Sequence, residues 1–248
     1  MPDLAGTARF ISDLHLKAER PDLLQRFAIF LADTAAANVE SLFILGDLFE
    51  YWIGDDDLAD PFNADVCNLL RGTADMGTRL FFIAGNRDFL IGPRFAAASR
   101  MTLLDEATRV GAGDTAILLL HGDTVCTDDV PYQDFRRMVR APDWQRCFLA
   151  RPLTERRAEV ETLRRRSAEA MQEKAPEIMD ANSAAVRQAL ISHGCRRLIH
   201  GHTHRPGHER IDLPSGHGER YVLSDWDTGR GDALEIGPAG LRRLDLSA

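Results

Sequence analysis

The sequence predicts an α/β protein on three observations. Apolar, β-branched or aromatic-rich runs alternate with stretches of helical periodicity over the first 125 residues. Polar islands of Asp, His and Asn follow directly on those runs, and short strand-like runs separated by Gly- and Pro-bearing turns return near the C-terminal end.

Taken in order, Arg9-Phe10-Ile11 reads as a buried strand. From Pro21 to Ala37, Leu23, Leu24, Phe27, Phe30 and Leu31 recur at helical spacing. Pro21 suits the helix start because the N–H it lacks would have no intrahelical partner there. Leu42 to Leu45 forms the next strand, followed by a loop in which Asp55, Asp56 and Asp57 read as a solvated turn, and by a helix over Phe62 to Ala74. Leu80 to Ile83, Ala116 to Leu120 and Leu198-Ile199 add strands, and from Pro131 to about His193 the pattern is helical. The last strand runs are Val222 to Ser224, Ala233 to Ile236 and Leu241 to Leu244. This order implies one α/β domain over residues 1–248, a sheet covered by helices, with a helical cap inserted at about 131–193.

With 248 residues and 44% hydrophobic content, the chain can bury a sizeable core. A net charge of −8 and a pI near 5.5 argue against a nucleic-acid partner. No apolar run approaches the roughly 20 residues needed to span a bilayer, and the N-terminus lacks a basic segment followed by an apolar signal core. A cytoplasmic location is expected, and Cys67, Cys126, Cys147 and Cys195, without C-x-x-C spacing, read as reduced thiols. No protein partner is implied.

The islands are Asp13-Leu14-His15, Gly46-Asp47, Gly85-Asn86-Arg87-Asp88, His121-Gly122-Asp123 and Gly201-His202-Thr203-His204. Each begins where a strand run ends, the place at which open α/β sheets build their sites. Oxygen and imidazole ligands on one rim suit Mn, Fe, Zn or a similar divalent ion. Their number exceeds what one ion needs, so a two-metal hydrolytic site is expected.

The ordered set D-x-H, G-D, G-N-x-D, H and G-H-x-H resembles the calcineurin-like metallophosphoesterases, which implies a two-sheet β sandwich flanked by helices. More narrowly, the segments Gly46 to Asp56, Gly85 to Leu90, His121 to Asp129 and His200 to Pro206 resemble the bacterial pyrophosphatases that cleave UDP-2,3-diacylglucosamine in lipid A synthesis. The similarity covers nearly the whole chain and thins after Gly207. It implies that Asp13, His15 and His204 hold one metal, that Asn86, His121 and His202 hold the other, and that Asp47 bridges them, with Mn2+ expected. A carboxylate can bridge two cations, whereas a neutral imidazole nitrogen holds one. Asp88 and Asp123 read as groups that orient ligands.

Arg87 stands where many relatives of the wider superfamily carry His. An arginine cannot protonate a leaving alcohol, because its pKa stays above about 12. A phosphate leaves as a stable anion, and a fixed cation can stabilise the charge spreading over its oxygens. This residue therefore favours phosphoanhydride cleavage over monoester hydrolysis.

Between Arg136 and Arg166 the chain carries ten arginines against four acids, interleaved with Phe135, Met138, Trp144, Phe148, Leu149 and Leu153. Three readings stay open: a surface for an anionic bilayer, where Arg151, Arg156 and Arg157 would meet lipid head groups; a slot for acyl chains; or a solvated helix pair packed on the body. The resemblance favours lipid and implies peripheral association with the cytoplasmic face of the inner membrane. It also implies substrate contacts at Asn86, Arg87, Asp129, Ser167, Lys174 and His202. Met171 replaces the Asn that the family usually places between Ser167 and Lys174, which leaves the polar network of the cap open.

The expected reaction is hydrolysis of UDP-2,3-diacylglucosamine to UMP and 2,3-diacylglucosamine 1-phosphate by a hydroxide activated between two metals. The alternatives are a soluble nucleotide or nucleotide-sugar pyrophosphatase with the same centre, and a non-catalytic scaffold whose mark would be a missing ligand. None of the seven is missing.

Overall fold

Alternation of side chains along short strands decides the layers of this molecule. The computed structural model describes residues 4, 6–173, 178 and 180–247, and for 114 and 166–173 it describes the backbone alone. The strands are β1 (Ala8–Ile11), β2 (Ser41–Ile44), β3 (Arg79–Phe82), β4 (Met101–Leu103), β5 (Ala107–Val110), β6 (Ile117–Leu120), β7 (Arg197–His200), β8 (Gly207–Leu213), β9 (Gly216–Val222), β10 (Asp232–Gly237) and β11 (Gly240–Asp245). They form two mixed sheets, in the orders β11-β10-β1-β2-β3-β4 and β5-β6-β7-β9-β8. Strands β1 to β4 run parallel, as do β6, β7 and β9.

On the first sheet, Phe10, Phe43 and Phe81 lie in register on adjacent strands and stack with ring centroids 5.0 and 4.7 Å apart. Together with Leu45 and Ile83 they meet Ile117, Leu119, Ile199, Tyr221 and Leu223 of the second sheet, and this is the core of the sandwich. The alternate residues Ile11, Leu42, Ile44, Leu80 and Phe82 face outward to α1 (Pro21–Ala36), α2 (Pro61–Asp75) and α3 (Pro93–Ser99), through Leu23, Phe27, Phe30, Val66, Leu70 and Phe95. Across the molecule, Leu118, Leu120, Leu198 and Ile211 pack against Val186 and Leu190 of α7 (Ser183–Ser192). The result is the helix–sheet–sheet–helix sandwich expected from the motif set.

Between β6 and α7 the chain forms α4 (Val130–Arg140), α5 (Pro142–Leu149) and α6 (Leu153–Glu173). Several helix starts follow from local chemistry. Asp60, Asp129 and Asn182 accept from backbone N–H groups of the first turns of α2, α4 and α7, and such a cap contributes about 1 kcal/mol. The helices α4 to α6 are tied to loops of the body by side chains, whereas α7 belongs to the core of the second sheet.

Two expectations are corrected here. The triad Asp55, Asp56, Asp57 is not a solvated turn. Asp55 accepts from the backbone N–H groups of Gly92, Arg94 and Phe95 at 2.9, 2.9 and 3.2 Å, fixing the start of α3, and from Trp52 Nε1 at 3.1 Å. Asp56 pairs with Arg156, which also donates to the carbonyl of Ile53, and Asp57 pairs with Arg157 at 2.5 Å. Consequently Arg156, only 1% exposed, and Arg157 dock α6 on this loop instead of facing lipid, while Arg151 pairs with Glu155 and Glu159. Arg136 and Arg140 likewise meet Glu106 and Asp123. Phe148 is buried and stacks on Trp144 at 4.9 Å, so the large apolar side chains exposed on α4 and α5, among the described residues, are Val130, Phe135, Met138 and Leu149. The strand expected at Val222 to Ser224 overlaps β9 only at Val222, because β9 runs from Gly216 and ends there.

The docking of α6 has a measurable consequence. Asp56→Ala leaves the buried Arg156 cation without its carboxylate and is expected to cost about 1.5–3 kcal/mol, the scale of a hydrogen bond to a charged group. Arg137→Ala breaks an exposed helix pair and should stay within about 0.5 kcal/mol. Urea unfolding of both variants checks the contrast.

Candidate metal centre

All seven expected ligands lie just beyond the C-terminal ends of parallel strands: Asp13 and His15 after β1, Asp47 after β2, Asn86 after β3, His121 after β6, and His202 and His204 after β7. The loops are zipped together by backbone bonds. Asp13 N and His15 N donate to Gly46 O and Asp47 O at 3.1 and 3.0 Å, and Gly201 N donates to His121 O at 2.8 Å. Close approach requires glycine at two points. A Cβ on Gly85 would lie 2.2 Å from Asp47 Oδ1, and one on Gly201 would lie 2.1 Å from Asp13 Oδ2. Asp13, His15, Asp47, His202 and His204 all have positive φ, between 48° and 68°. For non-glycine residues this conformation is uncommon and costly, and it gathers at functional sites.

The side chains converge in two overlapping groups. Donor atoms of Asp13, His15 and His204 lie within 4.8 Å of one another, as do those of Asp13, Asp47 and His121. His15 Nε2 faces His204 Nε2 at 3.2 Å, and Asn86 Oδ1 lies 3.0 Å from His121 Nε2 and 2.9 Å from His202 Nδ1. Asp47 has Oδ2 4.0 Å from His15 and Oδ1 3.7 Å from His121, so its carboxylate stands between the two groups. His121 Nδ1 donates to Leu45 O at 2.8 Å, which turns its Nε2 inward. Asp13 Oδ1 is buried without a hydrogen-bond partner among the described residues. An orphaned carboxylate oxygen among inward-turned imidazole nitrogens fits a cation. The donor set fits two divalent ions, with Asp47 between them.

Electrostatics support that fit. Burial, with Asp88 and Asp13 close by, pushes Asp47 up to about 7. Burial disfavours the His121 cation, yet Asp47, Asp13 and Asp123 push it up to about 9. Burial takes His15 down to about 3, aided by His204 and Arg87, and takes His202 down to about 4, aided by His121. Burial also opposes ionisation of Asp13, but contact with His204 and the fields of three histidines hold it well below the usual carboxylate range. Protons on Asp47 and His121 thus occupy places where metal ions would otherwise balance the carboxylates.

Other expected contacts fall as follows. The Arg87 N–H donates to Asp47 Oδ1 at 2.9 Å, its carbonyl accepts from Trp52 N at 2.9 Å, and its Nε is buried without a hydrogen-bond partner among the described residues. Asp129 is buried and accepts from Tyr132 N at 3.2 Å as the cap of α4. Ser167 and Met171 lie on α6, where only the backbone is described, and Lys174 lies outside the described residues. Residues that the sequence reading missed surround the ligands. Asp225 Oδ2 lies 3.6 Å from His204 Nδ1, and Glu50 Oε2 lies 3.9 Å from His15 Nδ1 while pairing with Arg164 of α6 at 2.5 Å. Tyr132 donates to Asp123 at 3.0 Å with its ring beside His202. Asp225 carries no motif signal, but its place just after β9 puts it on the rim that bears the other acids.

Comparison with known proteins gives a consistent result. The calcineurin-like phosphoesterase family model matches residues 8–206. A UDP-2,3-diacylglucosamine hydrolase from Aromatoleum aromaticum is 50% identical over 220 residues, 89% of each chain. One from Chromohalobacter salexigens is 44% identical over 98% of this chain and 99% of its own. Among solved structures, a dimetal phosphatase from Danio rerio shares the fold, with a TM-score of 0.52 and 13% identity over 98% of each chain.

Two outcomes are expected at this centre. Because ligands must lose their protons to bind metal, Mn2+ titration at pH 7 in buffers of different ionisation enthalpy should release at least about one proton per protein, chiefly from His121 with Asp47 contributing. Affinity should rise as pH rises toward 9. Asp47→Ala should lose both ions and His15→Ala chiefly one, as read by metal analysis.

Proposed function

This chain belongs to the calcineurin-like phosphoesterase family, and from that premise we propose that it is a dinuclear pyrophosphatase of lipid A synthesis. It hydrolyses UDP-2,3-diacylglucosamine to UMP and 2,3-diacylglucosamine 1-phosphate. The observation that carries this reading is the convergence of the seven ligands beside Arg87, in a chain so close to relatives bearing that name. The mixed carboxylate, amide and imidazole set suits Mn2+. Asp13, His15 and His204 would hold one ion and Asn86, His121 and His202 the other, with Asp47 shared. When bound, such ions supply Lewis acidity and a water that ionises near neutral pH.

The chain's own groups do the rest. The phosphorus next to uridine is the point of attack, and the sugar phosphate leaves. Arg87, anchored through its backbone to Asp47 and Trp52, stabilises the charge that grows on the departing phosphate, a task for a fixed cation and not for a proton donor. Asp129, Ser167 and Lys174, with Asn86, Arg87 and His202, contact the substrate. Helices α4 to α6 serve as the cap on a single domain, and the exposed Val130, Phe135, Met138 and Leu149 offer apolar surface for acyl chains or the cytoplasmic face of the inner membrane. Among the described residues no helix is long and apolar enough to cross a membrane, which agrees with peripheral association.

One observation favours a second reading, a soluble nucleotide-sugar pyrophosphatase. Most arginines of the cap are paired with acids of the protein, which leaves fewer for lipid. Turnover of the diacylated substrate beside that of UDP-N-acetylglucosamine, each with and without Mn2+, separates the two. Strong preference for the acylated substrate is expected, and equal turnover favours the second reading. Arg87→Ala should lower turnover roughly a hundredfold, the scale of losing one oriented donor, with metal content unchanged. Near-normal turnover at saturating substrate would leave Arg87 only a binding or structural role.

A further inference from the structure

His200 and Arg220 are buried polar residues that the reaction described above does not use. His200 ends β7 and directly precedes the turn that carries His202 and His204. Arg220 comes from the neighbouring strand β9, and its Nε lies 2.8 Å from His200 Nε2. A guanidinium is only a donor and keeps its proton at any ordinary pH. His200 Nε2 must therefore accept, and the single ring proton sits on Nδ1. That nitrogen is 2.8 Å from Gly201 O, to which it donates.

Gly201 O is the pivot of the ligand turn. It also accepts from Thr203 N at 2.8 Å, across the segment in which His202 and His204 take φ of 68° and 54°. The same turn is pinned on its other side by His202 N donating to Asp13 Oδ2 at 2.8 Å. Were the His200 proton on Nε2, the Nδ1 lone pair would face the carbonyl oxygen and repel it. Arg220 itself is held in place by Glu209 at 2.6 Å and Asp180 at 3.3 Å.

We infer that Arg220 is a positioning residue for the metal centre: by fixing the tautomer of His200 it fixes the Gly201 carbonyl, and so places His202 and His204. The inference rests on the dinuclear reading. Because the two histidines share one turn but serve different ions, losing Arg220 weakens both ions together, unlike loss of a single ligand such as His15.

The test is Mn2+ titration of purified full-length variants, with far-ultraviolet circular dichroism confirming the fold. Gln carries its amide nitrogen on Cδ, where Arg carries Nε, so Arg220→Gln keeps a donor to His200 while removing the charge; Arg220→Met keeps the volume and removes the donor. Arg220→Met should bind both ions about tenfold to a hundredfold more weakly, the scale of losing a group that orients a ligand. Arg220→Gln should stay within about threefold, far less than the loss expected on removing such a group. Equal losses in the two variants would assign Arg220 to its pairs with Glu209 and Asp180 and overturn the inference, as would unchanged affinity in Arg220→Met. Should Arg220→Met fail to fold, His200→Asn, which keeps a donor where Nδ1 stands, and His200→Leu, which does not, pose the same question. Affinity retained in the first and lost in the second supports the inference, and the same affinity in both contradicts it. A wild-type stoichiometry below two contradicts the dinuclear reading instead, whatever the variants do.

Discussion

A single buried carboxylate, Asp88, holds together the loops on which the metal centre depends. Its Oδ1 accepts from Gly85 N at 2.9 Å and Asp47 N at 3.3 Å, and its Oδ2 accepts from Leu48 N at 2.7 Å. Two loops from adjacent parallel strands are thereby closed around one carboxyl group, and Arg87 N completes the knot by donating to Asp47. Burial pushes the Asp88 carboxyl above its ordinary value, against the pull of the same backbone donors and of His121. These bonds hold Asp47 in its left-handed conformation, close against a glycine at 85 that leaves no room for a side chain.

The same economy of parts links the site to its surroundings. Three of the expected ligands are held at a second atom: His121 by Leu45 O, His204 beside Asp225, Asp13 by Ser12 and His202 N. Such outer contacts set the orientation and basicity of a ligand. Glu50 extends the chain of contact to α6 through Arg164, and Arg140 of α4 reaches Gly85 O at 2.9 Å. The helices above the rim are therefore attached to the loops that carry the ligands and not merely to the sandwich beneath.

Much of this was legible in the sequence because apolar runs and polar islands report on local constraints. Leu42 to Leu45 and Ala116 to Leu120 are buried on both faces, so they read as strands without help from partners. Strands β4, β5 and β8 did not. Thr102 and Leu103, and Glu209 and Arg210, are exposed, and these segments become strands only through pairing with distant chain. For the site, the seven ligands stood out because their types and order are unusual together. Asp225, Glu50 and Arg220 are single residues whose partners lie far away in sequence, and a pairing of that kind leaves no local pattern. Arg156 and Arg157 misled for the same reason, since Asp56 and Asp57, about a hundred residues earlier, are the partners that answer them.

The central claim is that strand-end loops hold two ions in a defined division of ligands. Anomalous diffraction at the manganese edge from crystals grown with Mn2+ tests it most directly. The expected map has two peaks roughly 4 Å apart, one among Asp13, His15 and His204, the other among Asn86, His121 and His202, with Asp47 touching both. A single peak, or a pair from which Asp47 stands apart, would contradict the account.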